Sequence, residues 1–285
     1  MHDVFFNKTA ILGVGLVGAS CGLALKEKRL CTAIVGYGRR EENLRQAKRR
    51  GIIDAYSLDS RAACEDADLV ILATPVGLFS GLVEQIRPSL KKGALVTDVG
   101  SVKGCLVPAI EAVMPQGVEY IGSHPIAGGD RSGIEDARAD LFSNALCIVT
   151  PTSRSDQKAM ERVVELWRRL GARVELLDPD MHDEIYATVS HLPHLIAYAL
   201  VNTVGDINPD YLDYTGQGFR DTTRIALSSP EMWRDIALLN RDNLIKFIGL
   251  FRNNLDTLER LLVAADDAGI EEEFRKAQAL RRKLQ

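Results

Sequence analysis

The stretch Gly13-Val14-Gly15-Leu16-Val17-Gly18 constrains this chain more than any other. A short apolar run, Thr9 to Leu12, precedes it, and a small-residue helical pattern through Ala19, Cys21, Leu23, Ala24 and Leu25 follows. It is therefore GxGxxG between a strand and a helix, where such a turn holds a dinucleotide diphosphate. Gly13 permits the tight turn, Gly15 lets the backbone approach the diphosphate and Gly18 allows the helix to lie close on the strand. The diphosphate would sit at the positive end of the helix that starts near Leu16 and Val17. The alternation then continues: strand Ala33 to Tyr37, helix Glu41 to Arg50, strand Leu69 to Thr74, helix Leu78 to Leu90, strand Ala94 to Thr97, helix Val102 to Val113. That order predicts a parallel sheet wound with helices, an α/β Rossmann-type nucleotide-binding domain.

The second strand ends Val35-Gly36-Tyr37-Gly38-Arg39-Arg40. An NAD site places an acid here to hold the ribose hydroxyls, whereas a 2′-phosphate is met by arginine. Gly38 stands at the acid's position, and Arg39 and Arg40 are suited to pair with a phosphate, so the cofactor is NAD or NADP with a lean towards NADP. The competing reading makes both arginines a solvated helix start neutralised by Glu41 and Glu42. Ligands of open parallel sheets lie beyond the carboxyl ends of the strands, which brings Thr74 and Pro75, and Asp98 and Ser101, to the cofactor. Ser101 reads either as a helix N-cap or as a hydroxyl aimed into the cleft.

With 285 residues the chain is expected to form two domains, because single cores stop growing near that size. The net charge of −4 lacks the basic excess of a nucleic-acid binder, and no nucleic-acid partner is expected. No apolar run approaches the roughly 20 residues that span a bilayer, and Met1 to Lys8 does not read as a leader, so no membrane association and a cytoplasmic location are expected. Cys21, Cys31, Cys64, Cys105 and Cys147 are odd in number and never paired as CxxC. They read as reduced thiols, with neither a disulfide framework nor a metal site.

A second motif is Gly122-Ser123-His124-Pro125-Ile126-Ala127-Gly128-Gly129, after an apolar run from Val118 to Ile121 that reads as a strand. Proline keeps its predecessor out of the helical region and the glycines admit a close ligand, so His124 is expected on a rigid loop. The GxGxxG turn, Asp98-Val99-Gly100-Ser101-Val102-Lys103 and this histidine motif, in their order and spacing, resemble the prephenate and arogenate (cyclohexadienyl) dehydrogenases of tyrosine biosynthesis. The likeness runs from about Lys8 to about Leu262.

The second half reads differently. Leu146 to Thr150 and Arg173 to Leu177 are expected strands around a helix, Asp156 to Leu170, and close a nucleotide domain over 1–178. From Asp178-Pro179, a cap and a first-turn proline, the pattern is wholly helical, which makes 179–285 an all-α domain. Within Met181 to Val204, Pro193 should kink the helix, and His191 and His194 share a face. Thr215 to Ala226 reads as a glycine-rich loop carrying Arg220 and Arg224 four residues apart, two guanidinium forks that suit a dianion. A long helix then runs from Ser229-Pro230-Glu231 through Trp233 to Leu262, with apolar residues around much of its surface. A helix so apolar predicts a homodimer through this half, as the resemblance also implies. Gly269 to Gln285 reads as a charged tail helix.

The resemblance implies oxidative decarboxylation of prephenate, or of arogenate, with hydride transfer to NAD(P). By it His124 and Ser101 are catalytic, His191 lines the substrate pocket, Arg224 grips the ring carboxylate, and Gln217 and Trp233 stand at pocket positions with Arg220 near them. Two other readings share the plan. A β-hydroxyacid dehydrogenase or imine reductase would carry a lysine on the first helix of the second half, and Met181 to Val204 has none. A non-catalytic NAD(P)-sensing protein would use the nucleotide site without turnover.

Overall fold

The computed structural model describes residues 5–128 and 133–284; Gly129 of the histidine motif lies outside them. The first six strands, β1 (Phe6–Leu12), β2 (Cys31–Tyr37), β3 (Ala55–Ser57), β4 (Leu69–Leu72), β5 (Leu95–Asp98) and β6 (Glu119–Pro125), are parallel and alternate with α1 (Leu16–Glu27), α2 (Glu41–Arg49), α3 (Ser60–Cys64), α4 (Phe79–Ile86) and α5 (Leu106–Val113). β7 (Leu146–Thr150), α6 (Gln157–Arg169) and β8 (Arg173–Leu176) add a crossover unit, and the full order is β3-β2-β1-β4-β5-β6-β7-β8. β7 pairs antiparallel with β6, so the last two strands run against the first six. The predicted parallel sheet holds up to β6.

Both faces of the sheet are covered, which is why its strands read as continuous apolar runs. Ile11 on β1 turns to one core with Leu25 and Trp167, while Ala10 and Leu12 turn to the other with Phe79, Val83 and Trp233. Each fully buried large side chain of this kind contributes about 1.5–3 kcal/mol. α6 is fixed at its start by Asp156, whose carboxylate accepts the Ala159 N–H at 2.8 Å.

The helical part begins as its sequence predicts. In α7 (Pro179–Tyr186) Asp178 accepts the N–H groups of Asp180 and Met181, and Pro179 occupies the first turn. A π-helical turn, Ala187–His191, joins α7 to α8 (Leu192–Ile207). The wider turn accommodates Pro193, which cannot donate a hydrogen bond, at the point where a kink was expected.

Four local expectations are corrected. The helix expected from Val102 starts at Leu106, because the N–H groups of Lys103 and Gly104 are given to the Asp183 carboxylate, both at 2.8 Å, and residues 99–105 stay open. Ser101 is therefore not a helix N-cap. His124 lies on β6, opposite Ile148 of β7, and not on a loop. The glycine-rich stretch after Thr215 is helical as α9 (Gln217–Thr223), followed by a 3₁₀ turn, Arg224–Leu227. The long helix from Pro230 stops at Leu239 as α10 (Pro230–Leu239), because the Asn240 amide is turned inward to donate to the Asp183 carbonyl at 2.9 Å.

The strands end before residue 178, yet the compact unit extends from Met1 to Asn240, since Trp233 and Ile236 of α10 join the sheet's core. Arg241–Gln285 form a second unit of α11 (Arg241–Val263) and α12 (Asp267–Arg281). Asp266 caps α12 by accepting the Gly269 N–H at 3.0 Å. Among the described residues no helix is long and apolar enough to cross a membrane.

Candidate active site

The glycine turn sits at the carboxyl end of β1, over a cavity of about 830 Å³. Gly13 has φ of +108°, and a Cβ there would lie 2.4 Å from the Ala73 carbonyl oxygen. A Cβ on Gly18 would fall 2.1 Å from the Gly13 oxygen, whereas Gly15 faces open space. Gly13 and Gly18 thus pack the turn, and Gly15 leaves bare backbone and the start of α1 for an anion. Gly13 and Gly15 line the cavity together with Gly38, Arg39, Arg40, Thr74 and Pro75. The Thr74 hydroxyl is buried without a partner. This cradle fits a dinucleotide: a diphosphate at the turn, a ribose at Gly38 and a polar head near Thr74. The neighbouring acids are spent elsewhere, Glu41 on Arg45 at 3.0 Å and Glu42 on Arg49 at 2.8 Å, so neither neutralises Arg39 or Arg40.

Asp98 does not line this cavity. It is fully buried, and its carboxylate accepts from Tyr120 at 2.9 Å, from the backbone N–H groups of Gly100 and Ser123 at 2.9 Å each, and from the Lys103 ammonium. Ser123 extends the network: its hydroxyl donates to the Asp98 carbonyl and accepts the Trp167 indole N–H at 3.0 Å. A buried charge needs this many partners. The two motifs that stand apart in sequence are thereby tied together beneath the site.

His124 stands at the carboxyl end of β6, on the edge that carries the glycine turn. Its Nδ1 lies 2.9 Å from Nε2 of His182, and Nδ1 of His182 lies 2.8 Å from Asp183 Oδ1. Tyr186 packs on both rings, with centroids at 4.9 Å and 4.6 Å. Burial, with the neighbouring His182 and Lys103, pushes the His124 pKa well below the ordinary histidine value. The imidazole is neutral, as a proton acceptor must be.

His191 is buried, and its Nδ1 lies 3.1 Å from the Asn240 amide nitrogen. The amide can only donate, so His191 carries its proton on Nε2, an atom buried without a hydrogen-bond partner. Trp233 Nε1 is likewise buried and unpartnered. Two orphaned donors in one neighbourhood suit an acceptor-rich ligand. Burial drives the His191 pKa down to about 4. His194 is used differently: it stacks on Trp233 at 3.5 Å and bonds the Ser190 carbonyl.

The remaining expected substrate residues are exposed. Gln217 donates to Asp221 at 2.6 Å across one turn of α9, Arg220 lies on the same helix, and Arg224 opens the next turn. Ser101 is part-buried on the open segment after β5.

Sequence reasoning missed His182, Asp183 and Asn240. The His-Asp pair just inside a capped helix was visible, but its partner lies 58 residues away, beyond any local pattern.

Two family models match the chain, "Prephenate dehydrogenase, nucleotide-binding domain" over residues 21–176 and "Prephenate dehydrogenase, dimerization domain" over residues 178–276. The chain belongs to the prephenate dehydrogenase family. It is 34% identical to the prephenate dehydrogenase of Bacillus subtilis over 90% of this chain and 70% of that one. It is 31% identical to the cyclohexadienyl dehydrogenase of Zymomonas mobilis, over 97% and 95%. Among solved structures it is similar to the A. aeolicus prephenate dehydrogenase in complex with hydroxyphenyl propionate and NAD+, with a TM-score of 0.93, 36% identity and 98% of both chains covered. The family models begin after the glycine turn, so the reading of that turn stands on its own geometry.

Proposed function

We propose that the chain is an NAD(P)-dependent prephenate dehydrogenase of tyrosine biosynthesis, converting prephenate to 4-hydroxyphenylpyruvate with loss of carbon dioxide. The observation that carries this is the His124 imidazole, held neutral on the sheet edge that bears the glycine turn. Family membership supports the same reading.

The reaction removes the 4-hydroxyl proton, a hydride from the carbon that bears it, and the carboxyl group from the opposite ring carbon. Aromatisation supplies the driving force, so the protein has to position and polarise. A bound nicotinamide dinucleotide would supply the hydride acceptor; Gly13, Gly15, Leu16 and Val17 would hold its diphosphate, with Gly18 letting α1 lie close enough to do so and Thr74 and Pro75 beside it. His124 Nε2 accepts a hydrogen bond from the 4-hydroxyl and then holds its proton. Ser101 orients that hydroxyl. Arg224 holds the ring carboxylate in its planar fork, and His191 and Trp233, each with an unpartnered buried donor, hold the oxygens of the side chain. Gln217 and Arg220 join them at the pocket mouth.

The position of Arg39 and Arg40 on the cavity, with Glu41 and Glu42 paired elsewhere, supports NADP over NAD. Exposed Ile245, Leu250, Leu255 and Leu262 on α11 support a homodimer through the helical half.

The test is near-ultraviolet absorbance of the purified protein with NAD or NADP, against prephenate or arogenate, in four separate assays. Reduction with prephenate supports the assignment, and a higher rate with NADP supports the cofactor preference. Four flat traces from folded protein that binds nucleotide would overturn the substrate assignment.

A further inference from the structure

The histidine that faces substrate ends a buried chain of polar groups, and the direction of every hydrogen bond in that chain follows from its far end. Asp183 is 3% exposed, and its Oδ1 accepts the Lys103 N–H while Oδ2 accepts the Gly104 N–H, both at 2.8 Å. Backbone amides can only donate, so both carboxylate oxygens of Asp183 stand as acceptors. Nδ1 of His182, 2.8 Å from Oδ1, must then carry a proton. His182 is fully buried, and burial, the largest influence on it, lowers its pKa and keeps it neutral. Its Nε2 is therefore bare and can only accept. The Nδ1 of His124, 2.9 Å away, must be the donor, and His124 is left with a bare Nε2.

We propose that His182 and Asp183 are positioning residues for the reaction, a relay that fixes His124 in the tautomer with its proton on Nδ1. A histidine side chain in water favours the other tautomer, in which Nε2 carries the proton and cannot act as a base. As His124 Nε2 takes the substrate proton, the Nδ1–H bond to His182 strengthens, and the new positive charge is balanced through His182 by the Asp183 carboxylate. No net proton moves beyond His124. The same arrangement, a carboxylate orienting an imidazole through its second nitrogen, sets histidine tautomers in hydrolases and metal sites; in this chain a second imidazole is inserted between the two. The open segment 99–105 explains how the carboxylate is held: forgoing helix there frees two amides to point at Asp183.

The proposal rests on the dehydrogenase reading for its catalytic meaning, but the tautomer is measurable without substrate or cofactor. In long-range ¹H–¹⁵N correlation spectra of protein labelled at histidine nitrogen, His124 is expected with a protonated Nδ1 and a bare Nε2. Its signal is assigned by its loss in His124→Asn. In His182→Phe, which keeps an aromatic ring against Tyr186 but no nitrogen, the His124 signal is expected to shift towards the Nε2–H tautomer. The turnover number should fall between about tenfold and a thousandfold, with nucleotide affinity unchanged. A wild-type His124 protonated on Nε2 overturns the proposal, as does a His182→Phe protein that keeps turnover within twofold. Should the wild type turn over neither prephenate nor arogenate while showing the expected tautomer, the substrate assignment fails and the relay stands.

Discussion

His124 and His191 are two imidazoles set opposite ways round, each through the hydrogen bond at its Nδ1. Asn240 leaves His191 an Nε2 donor, while His182 leaves His124 an Nε2 acceptor. Replacing His124 by Asn should cut the turnover number by about 10²–10⁴-fold and leave nucleotide binding, read by fluorescence titration, within twofold. A nucleotide-sensing protein would show no such loss in any rate. The depressed pKa values also make stability depend on pH. Above pH 6.5 both folded and unfolded His191 are neutral; as pH falls from there to about 4 the unfolded chain binds a proton that the folded one refuses. Stability is therefore complete above 6.5 and lost on acidification, by roughly 3 kcal/mol at most from this one residue. His124 and His182 act in the same direction. Urea unfolding at pH 7 and pH 5 should show the loss, and His191→Gln should flatten it; an equal slope in the variant would refute the assignment. Of these residues His124 stands out in the sequence by the proline and glycine around it, and His191 by the family resemblance. It hid His182 and Asn240, whose roles depend on pairings 58 and 49 residues away.

At the scale of elements, local chemistry was read well where the signal was local. Asp178 caps the helix it was expected to cap, the helix expected from Asp156 begins there, and the glycine turn joins β1 to α1 as its spacing required. It failed where tertiary partners outbid propensity. Residues 102–105 have helical character but surrender two amides to Asp183, and β3 has only three residues, too few for an alternating pattern. The direction of β7 was equally hidden, since an apolar strand reads the same whichever way it runs. Gly18 shows how narrow the tolerance of the cradle is. Gly18→Ala would drive a Cβ to 2.1 Å from the Gly13 oxygen, so α1 must move off the strand. Nucleotide affinity should fall at least tenfold, and the thermal midpoint should drop as for an overpacked core, by about 1–3 kcal/mol of stability. Unchanged affinity by calorimetry would mean that the diphosphate binds elsewhere.

For the whole molecule, the segment beyond Asn240 is the least self-sufficient part. Ile245 and Leu262 on α11 are each 67% exposed, and α12 has no buried residue. A partner chain is the economical remedy, and sedimentation should give twice 31.3 kDa. Leu250→Glu together with Leu255→Glu should shift that mass to the monomer, whereas a monomeric wild type would remove the dimer from the account.

The strand order has a consequence for how such a protein could change over time. Gly38, Arg39 and Arg40 follow β2, and His124 ends β6; β1, β4 and β5 lie between. Four strand spacings put these groups about 19 Å apart across the sheet edge. Substitutions that retune the choice of nucleotide therefore fall on ground that the proton-handling residues do not share. A lineage could exchange one redox pool for another, drawing on biosynthetic or catabolic reducing equivalents, while its treatment of the substrate passed to descendants unaltered.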